Sequence, residues 1–98
     1  MSSTYAQTLT EDRRLVILRV LSEMPTYKAN SSVIYSLLSN WGHSPSRDQV
    51  KNDLRWLEEQ QLVQVEEVAS VILATLTERG QDVALGRAVV HGVKRPGA

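Results

Sequence analysis

The sequence has no cysteine and no phenylalanine, and its formal net charge is zero. Without cysteine, neither a disulfide framework nor a thiolate metal site can form. Eleven basic residues balance eleven acidic ones, whereas nucleic-acid-binding domains usually carry a basic excess. No apolar run approaches the length that spans a bilayer, and residues 1–9 lack the basic start and apolar centre of a signal peptide. We therefore expect a cytoplasmic protein without membrane contact.

The 98 residues are enough for one domain with a modest core. We expect a flexible N-terminus at 1–9, a folded domain at 10–87 and a basic irregular tail at 88–98. The two histidines, His43 and His91, do not have the spacing of a metal-binding pair, and the chain has no phosphate loop or nucleophile turn. We therefore expect no metal site, no cofactor and no enzymatic activity.

Apolar residues recur at helical spacing through the first sixty positions, which predicts three helices. The residues expected to cap or end these helices are Thr10, Pro25, Asn30, Gly42, Ser46 and Gln60. Ser46 and Gln49 match a capping box, which marks the start of the third helix. Its inward face should hold Val50, Leu54 and Leu57, and Trp41 is expected in the core beside the second helix.

The segment from Leu62 to Val68 alternates in polarity, and the run VILATL at 71–76 begins with β-branched residues. The two stretches predict a pair of strands with a turn at 67–70 between them. Thr77 is a candidate cap for one more helix. The order predicts an α+β fold, mostly α: a winged helix-turn-helix with a three-helix core, a β-hairpin wing and a C-terminal helix.

Two stretches resemble the winged-helix regulators of the ArsR and MarR type. VKNDLRWLEEQQLVQV, residues 50–65, matches the Leu-x-x-Leu-Glu-x-x-Gly-Leu-Val that leads into their wing, and LTERGQDVA, residues 76–84, matches the Leu-Thr-x-x-Gly that closes it. Gln61 replaces the usual glycine of the first pattern, so either the turn differs or Gln61 adopts a strained positive φ. The ending GRAVVHGVKRPG is also similar to small winged-helix proteins of Mu-like prophages.

The resemblance implies a transcriptional regulator that binds double-stranded DNA sequence-specifically, with helix 46–60 in the major groove and the wing on the flanking backbone. The third helix carries residue types that read bases, since arginine and lysine pair with guanine, and asparagine and glutamine with adenine. The candidate DNA-binding residues are Arg47, Gln49, Lys51, Asn52 and Arg55.

Acidic residues weigh against DNA binding. Residues 46–80 contain four basic and seven acidic residues, a net charge of −3. Glu66 and Glu67 lie near the wing tip, where a phosphate contact would favour cations. Asp48 and Asp53 lie among the candidate DNA-binding residues of the third helix, and a carboxylate near a phosphate opposes binding. The alternative is a winged-helix protein-interaction module without significant DNA binding, in which this helix presents only a solvated face.

Three residues are candidates for contact with a protein partner. Trp56 lies about 130° from the inward stripe of its helix, so it is either tucked beneath the wing or tail or exposed as an anchor. Val16 and Ile17 are expected to lie outside the intramolecular stripe of the first helix. The short C-terminal helix offers less than the ~800 Å² per partner of a standard interface. We therefore expect a monomer or a weak homodimer.

Overall fold

In the computed structural model, which describes residues 4–97, four α-helices pack with a three-stranded antiparallel sheet. The elements in chain order are α1 Tyr5–Glu23, a 3-10 turn Pro25–Tyr27, β1 Lys28–Asn30, α2 Ser31–Leu38, a 3-10 turn Ser39–Trp41, α3 Arg47–Glu59, β2 Val63–Val68, β3 Val71–Leu76 and α4 Glu78–Ala84. This architecture is a winged helix-turn-helix, and the predicted fold class is confirmed.

The first helix begins earlier than the sequence predicted. Thr4, rather than Thr10, is the N-cap, and it forms a capping box with Gln7: the Thr4 hydroxyl accepts the Gln7 N–H at 3.0 Å, and Gln7 Oε1 accepts the Thr4 N–H at 2.8 Å. The expectation of an unstructured segment at 1–9 is therefore wrong from Thr4 onward, and residues 1–3 lie outside the described residues. The spacing of apolar residues could not predict the first turns of α1, because Tyr5 and Leu9 face solvent.

The other three predicted caps are confirmed. The side chain of Asn30 accepts the Val33 N–H, and that of Thr77 accepts the Gly80 N–H, each at 2.9 Å. Ser46 and Gln49 form the predicted capping box, with reciprocal bonds of 3.0 and 2.9 Å. These bonds fix the first turns of α2, α3 and α4, because they satisfy N–H groups that have no partner within the helix.

The sheet has the order β1-β3-β2 and all its pairs are antiparallel. In the wing, Val68 pairs with Val71, so Ala69 and Ser70 alone form the turn, and Ala69 takes a φ of +55°. β1 adds a third strand through the pairing of Lys28 with Thr75. A strand of three residues is too short to produce a readable alternation, which is why the sequence did not place it.

The core is formed by the apolar faces of the helices and one face of the sheet. Val50, Leu54 and Leu57 of α3 are completely buried, as predicted. Val16 and Ile17 are buried too, so the expectation that they lie outside the intramolecular stripe is wrong. α1 packs on α2, on β3 and on α4, and therefore buries its whole circumference between Leu15 and Leu18.

Trp41 is not a core residue, contrary to the prediction. α2 ends at Leu38 and the chain continues as a 3-10 turn. A 3-10 turn has three residues per turn rather than 3.6, so Trp41 leaves the stripe that the α-helical spacing predicted. Its side chain is 46 % exposed. Gly42 then ends the turn at a φ of +82°, in the left-handed conformation that the sequence predicted.

The segment that follows α4 is irregular, as predicted, but it is packed against the domain. Within residues 85–97, all of them described, no helix or strand forms. Val90 and Val93 are buried, and the Lys94 N–H donates to the carbonyl oxygen of Glu11 in α1 at 3.2 Å. We call residues 88–95 the C-terminal strap.

Candidate nucleic-acid interface

The five candidate DNA-binding residues all lie on the outer face of α3. Burial of Val50, Leu54 and Leu57 fixes the rotation of the helix, so the positions between them point to solvent. Four of the candidates are exposed and Lys51 is half-buried. The structure therefore places the five side chains on the solvent-facing side of α3.

Arg47 is oriented by neutral groups. Its guanidinium carbon lies 4.4 Å from the centre of the Tyr35 ring, and one of its nitrogens is 3.5 Å from the Ser32 hydroxyl. Both neighbours come from α2, so the arginine spans the two helices of the helix-turn-helix. A cation held over an aromatic ring keeps its charge and most of its donors.

Lys51 is also oriented by a neutral group, but from the wing. Its ammonium donates to the backbone carbonyl of Ser70 at 2.8 Å. An ammonium has three donors, so two remain free for a phosphate. Between this lysine and the start of α2 lies a recess of about 400 Å³, lined by Ser31, Ser32, Arg47, Lys51, Ser70 and Val71.

Arg55 has a different environment from the other two cations. Its guanidinium bonds to the Glu67 carboxylate of the wing at 2.6 Å. Both side chains are largely accessible, at 50 % and 71 % exposure. The charge of Arg55 is therefore opposed by a carboxylate, whereas Arg47 and Lys51 have none among their bonded partners.

Asp53 lies on the buried side of α3, where it is only 4 % exposed. It accepts from Arg13 at 2.5 Å and from Arg14 at 3.4 Å, both on α1. The sequence prediction placed this carboxylate among the candidate DNA-binding residues of α3. That prediction is wrong, because Asp53 points inward and is paired with two arginines. The position of Asp53 one residue before the buried Leu54 was the available signal, since position 53 falls beside the apolar stripe.

This pairing changes the charge of the exposed helix. From Arg47 to Arg55 the outer face carries three cations against the single carboxylate of Asp48. The acidic residues collect instead at the C-terminal end, where Glu58 and Glu59 are exposed. α3 is therefore basic over its first nine residues and acidic over its last two.

Trp56 is held inside the molecule by the C-terminal strap. The guanidinium of Arg14 lies 3.8 Å from the centre of its ring, and the same arginine donates to the Gly92 carbonyl at 3.1 Å. A Cβ on Gly92 would lie 2.7 Å from the indole. Of the two alternatives that the sequence left open for Trp56, the structure therefore favours packing beneath the tail. Val16 and Ile17 are buried, so none of the three candidate partner residues offers a free apolar side chain.

A second polar cluster joins the helix-turn-helix to α1 and the strap. His43 is buried in the turn before α3, and its Nε2 lies 2.7 Å from the Asp12 carboxylate. Lys94 approaches the other oxygen of Asp12 at 3.4 Å. Burial raises the pKa of Asp12, but the His43 hydrogen bond and the Lys94 charge outweigh it and leave the pKa below its ordinary value.

Neither a metal cluster nor a membrane helix is present in the part of the chain that the structure describes. Within residues 4–97, no three side chains of His, Asp or Glu converge as metal ligands. None of the helices described there is long and apolar enough to cross a bilayer.

No protein-family model matches the chain. Over 88 residues it is 56 % identical to gp26, an uncharacterized protein of Escherichia phage Mu, and the alignment covers 90 % of this chain and 91 % of gp26. The chain belongs to the gp26 family. An uncharacterized protein of Haemophilus influenzae is 44 % identical to this chain over 77 residues, which cover 78 % of this chain and 74 % of that protein.

Solved structures with the same fold come from more distant proteins. RosR of H. salinarum superposes with a TM-score of 0.64 at 23 % identity, covering 74 % of this chain and 66 % of RosR. ZitR of Lactococcus lactis, in apo form, superposes with a TM-score of 0.56 at 22 % identity, covering 85 % of this chain and 58 % of ZitR. This chain thus spans about two thirds of RosR and somewhat less of ZitR. The likeness is one of fold.

Proposed function

We propose that this protein is a small sequence-specific DNA-binding regulator that places α3 in the major groove of duplex DNA. The winged helix-turn-helix fold supports the proposal but does not decide it, since such folds also serve other functions. The resemblance to ArsR- and MarR-type regulators supports it as well. With the same resemblance we propose that the protein acts in the cytoplasm and is not an enzyme.

The observation that carries the proposal is the burial of Asp53. Over residues 46–80 the sequence has a net charge of −3, which argues against binding to a polyanion. Asp53 is compensated by Arg13 and Arg14 inside the domain, and Glu58 and Glu59 lie at the far end of α3. The first residues of a recognition helix are those that reach base edges, and in α3 this part has the basic surface.

The residues of that surface have separate roles in the proposal. Gln49 and Asn52 are exposed and uncharged. The Asn52 amide can read adenine in the major groove, whereas Gln49 Oε1 already accepts the Ser46 N–H and the Gln49 NH2 group is the part that can donate to a base. Arg47 is held near the start of α2, where it can read guanine or bind a phosphate. Lys51 is fixed to the wing through Ser70, and its two remaining donors are available to the backbone of the duplex.

Salt dependence of binding to a random-sequence duplex tests the proposal. Each phosphate contact contributes about 0.9 to the slope of log K against log salt. Arg47→Ala and Lys51→Ala together should weaken binding and lower this slope. Arg87→Ala is the control for loss of a cation away from α3, because Arg87 is exposed just beyond α4 and pairs with Asp82 of that helix. Absence of binding by the wild-type protein at low salt would refute the proposal.

The acidic wing favours a second candidate, a protein-interaction module without significant DNA binding. Glu66 and Glu67 are exposed at the position from which a DNA-binding wing usually contacts phosphates. The salt titration separates the two candidates, since this module would show no duplex binding at any salt concentration. In either case we propose a monomer or weak homodimer, which sedimentation at micromolar concentration measures.

A further inference from the structure

We propose that Glu67 of the wing competes with DNA for Arg55, and so acts as a negative determinant of affinity. This inference rests on the proposed DNA-binding function and concerns the same surface. Of the three cations on the outer face of α3, only Arg55 is bonded to a carboxylate. Duplex binding through Arg55 requires the arginine to exchange Glu67 for a phosphate.

The geometry makes this exchange possible. The Arg55–Glu67 pair is 2.6 Å long but lies in solvent, with half or more of each side chain accessible. Exposed pairs of this kind contribute little to stability, so the bond is weak enough to open. The carboxylate nevertheless stays close to the arginine, and it would repel a phosphate that approaches the same guanidinium.

The neighbouring Glu66 provides a matched control for the effect of net charge. Successive residues of a strand point to opposite faces. Glu67 shares a face of β2 with Val63 and Val65, which lie on the side of α3, whereas Glu66 points away from it. Glu66→Gln and Glu67→Gln therefore change the net charge equally, but only the second releases Arg55.

Both glutamine variants should be compared with wild type for binding to a random-sequence duplex across a salt series. Glu67→Gln should bind about 1.5- to fivefold more tightly, the range that corresponds to the loss of an exposed ion pair. If Arg55 then contacts a phosphate, the salt slope should rise by about 0.9. Glu66→Gln should give a clearly smaller gain in affinity and no such change in slope.

A double-mutant cycle with Arg55→Ala tests the pairing directly. In the wild-type background Arg55→Ala should leave the salt slope unchanged, because Glu67 already keeps the arginine from phosphate, although affinity falls as the Glu67 carboxylate becomes unpaired. In the Glu67→Gln background the same substitution should remove the gain in salt slope. This non-additivity is the signature of competition between the carboxylate and the phosphate.

The remaining outcomes overturn the inference in distinguishable ways. Equal gains for the two glutamine variants would show a general charge effect without competition for Arg55. Weaker binding by Glu67→Gln would mean that the wing positions Arg55 for DNA instead of withholding it. If Arg47→Ala weakens binding while the cycle is additive, the inference fails and the proposed function stands. If neither wild type nor Glu67→Gln binds at low salt, both fail.

Discussion

Replacement of Asp53 by alanine tests the buried charge cluster that joins α3 to α1. Asp53 is the only carboxylate of α3 that the described structure buries, and it is bonded to Arg13 and Arg14 across the interface with α1. Its removal leaves two guanidinium groups with little access to water, at 12 % and 18 % exposure. Their desolvation would no longer be offset by a counter-charge.

Removing one partner of a buried ion pair typically costs about 3–5 kcal/mol. Here the arginines keep some contact with water, so the expected loss is at the lower end, about 3 kcal/mol. A chain of 98 residues has a total stability of roughly 5–15 kcal/mol. Asp53→Ala should therefore remove between a fifth and more than half of the free energy of unfolding.

Chemical denaturation at neutral pH measures this loss. Glu59→Ala is the matched control, because it removes an exposed carboxylate from the same helix and should change stability by less than about 0.5 kcal/mol. The loss caused by Asp53→Ala should persist in high salt, since buried charges are screened much less than exposed ones. Equal stability of Asp53→Ala and Glu59→Ala would refute the view that this carboxylate stabilises the α1–α3 contact.

Three further predictions concern the strap, the pH dependence and the core. Gly92→Ala should destabilise the protein by about 1–3 kcal/mol in thermal unfolding, because a Cβ would meet the Trp56 ring at 2.7 Å. The pKa of Asp12 is depressed in the folded state, so its stabilising contribution is present near neutral pH and is lost as the pH falls through that folded pKa. Asp12→Asn should therefore be less stable at neutral pH and show a flatter acid limb in denaturation. Leu54→Ala should cost about 2–5 kcal/mol by the same measurement, because Leu54 is completely buried.

Each of these variants has a control in the same chain. Gly42 also has a positive φ but nothing within 4 Å of an added Cβ, so Gly42→Ala isolates backbone strain from the clash with Trp56. Asp82→Asn removes a carboxylate from an exposed pair and should leave the acid limb almost unchanged. Val33→Ala truncates an exposed apolar residue. A variant that behaves like its control would contradict the corresponding prediction.

The fold could be predicted because its signals are local. The capping box of Ser46 and Gln49 and the cap of Thr77 depend on residues three apart, so the sequence displays each one completely. The apolar stripe of α3 follows the helical period without interruption. The prediction failed where the period changed, at the 3-10 turn of Trp41, and where a helix has no buried face, in the first turns of α1.

The properties of the candidate site depend on contacts that sequence spacing does not reveal. The sequence placed Arg47, Gln49, Asn52 and Arg55 correctly on the exposed face of α3, but it did not show that Asp53 is buried or what each side chain contacts. Asp53 and Arg13 are 40 positions apart, and Arg55 and Glu67 are 12 apart. A charge count over residues 46–80 treats Asp53 and Glu67 alike. Asp53 is buried between α3 and α1, whereas Glu67 is exposed and bonded to Arg55 on the outer face of α3. Replacement of Asp53 is therefore expected to lower the stability of the domain, whereas replacement of Glu67 is expected to raise affinity in the proposed contact with DNA.

The two stretches that carried the family resemblance meet at one joint of the structure. Thr77 donates from its backbone N–H and its hydroxyl to the Leu62 carbonyl, at 3.1 and 3.0 Å. A Cβ on Gly80 would lie 2.0 Å from that same oxygen, so the glycine is required for the close approach. Gln61 adopts a φ of +64° there, which settles the alternative left open for this turn.

This joint fixes the base of the wing against the end of α3. The shared pattern is thus a requirement of the fold. None of the five residues proposed to contact bases or phosphates is at one of its matched positions, which are Leu54, Leu57, Glu58, Leu62, Val63, Leu76, Thr77 and Gly80. A protein can keep Leu62, Thr77 and Gly80, and with them the winged helix, while the charges on α3 and β2 vary freely. The resemblance therefore supports the architecture more strongly than it supports DNA binding, and the function must be tested at Arg47, Lys51, Arg55 and Glu67.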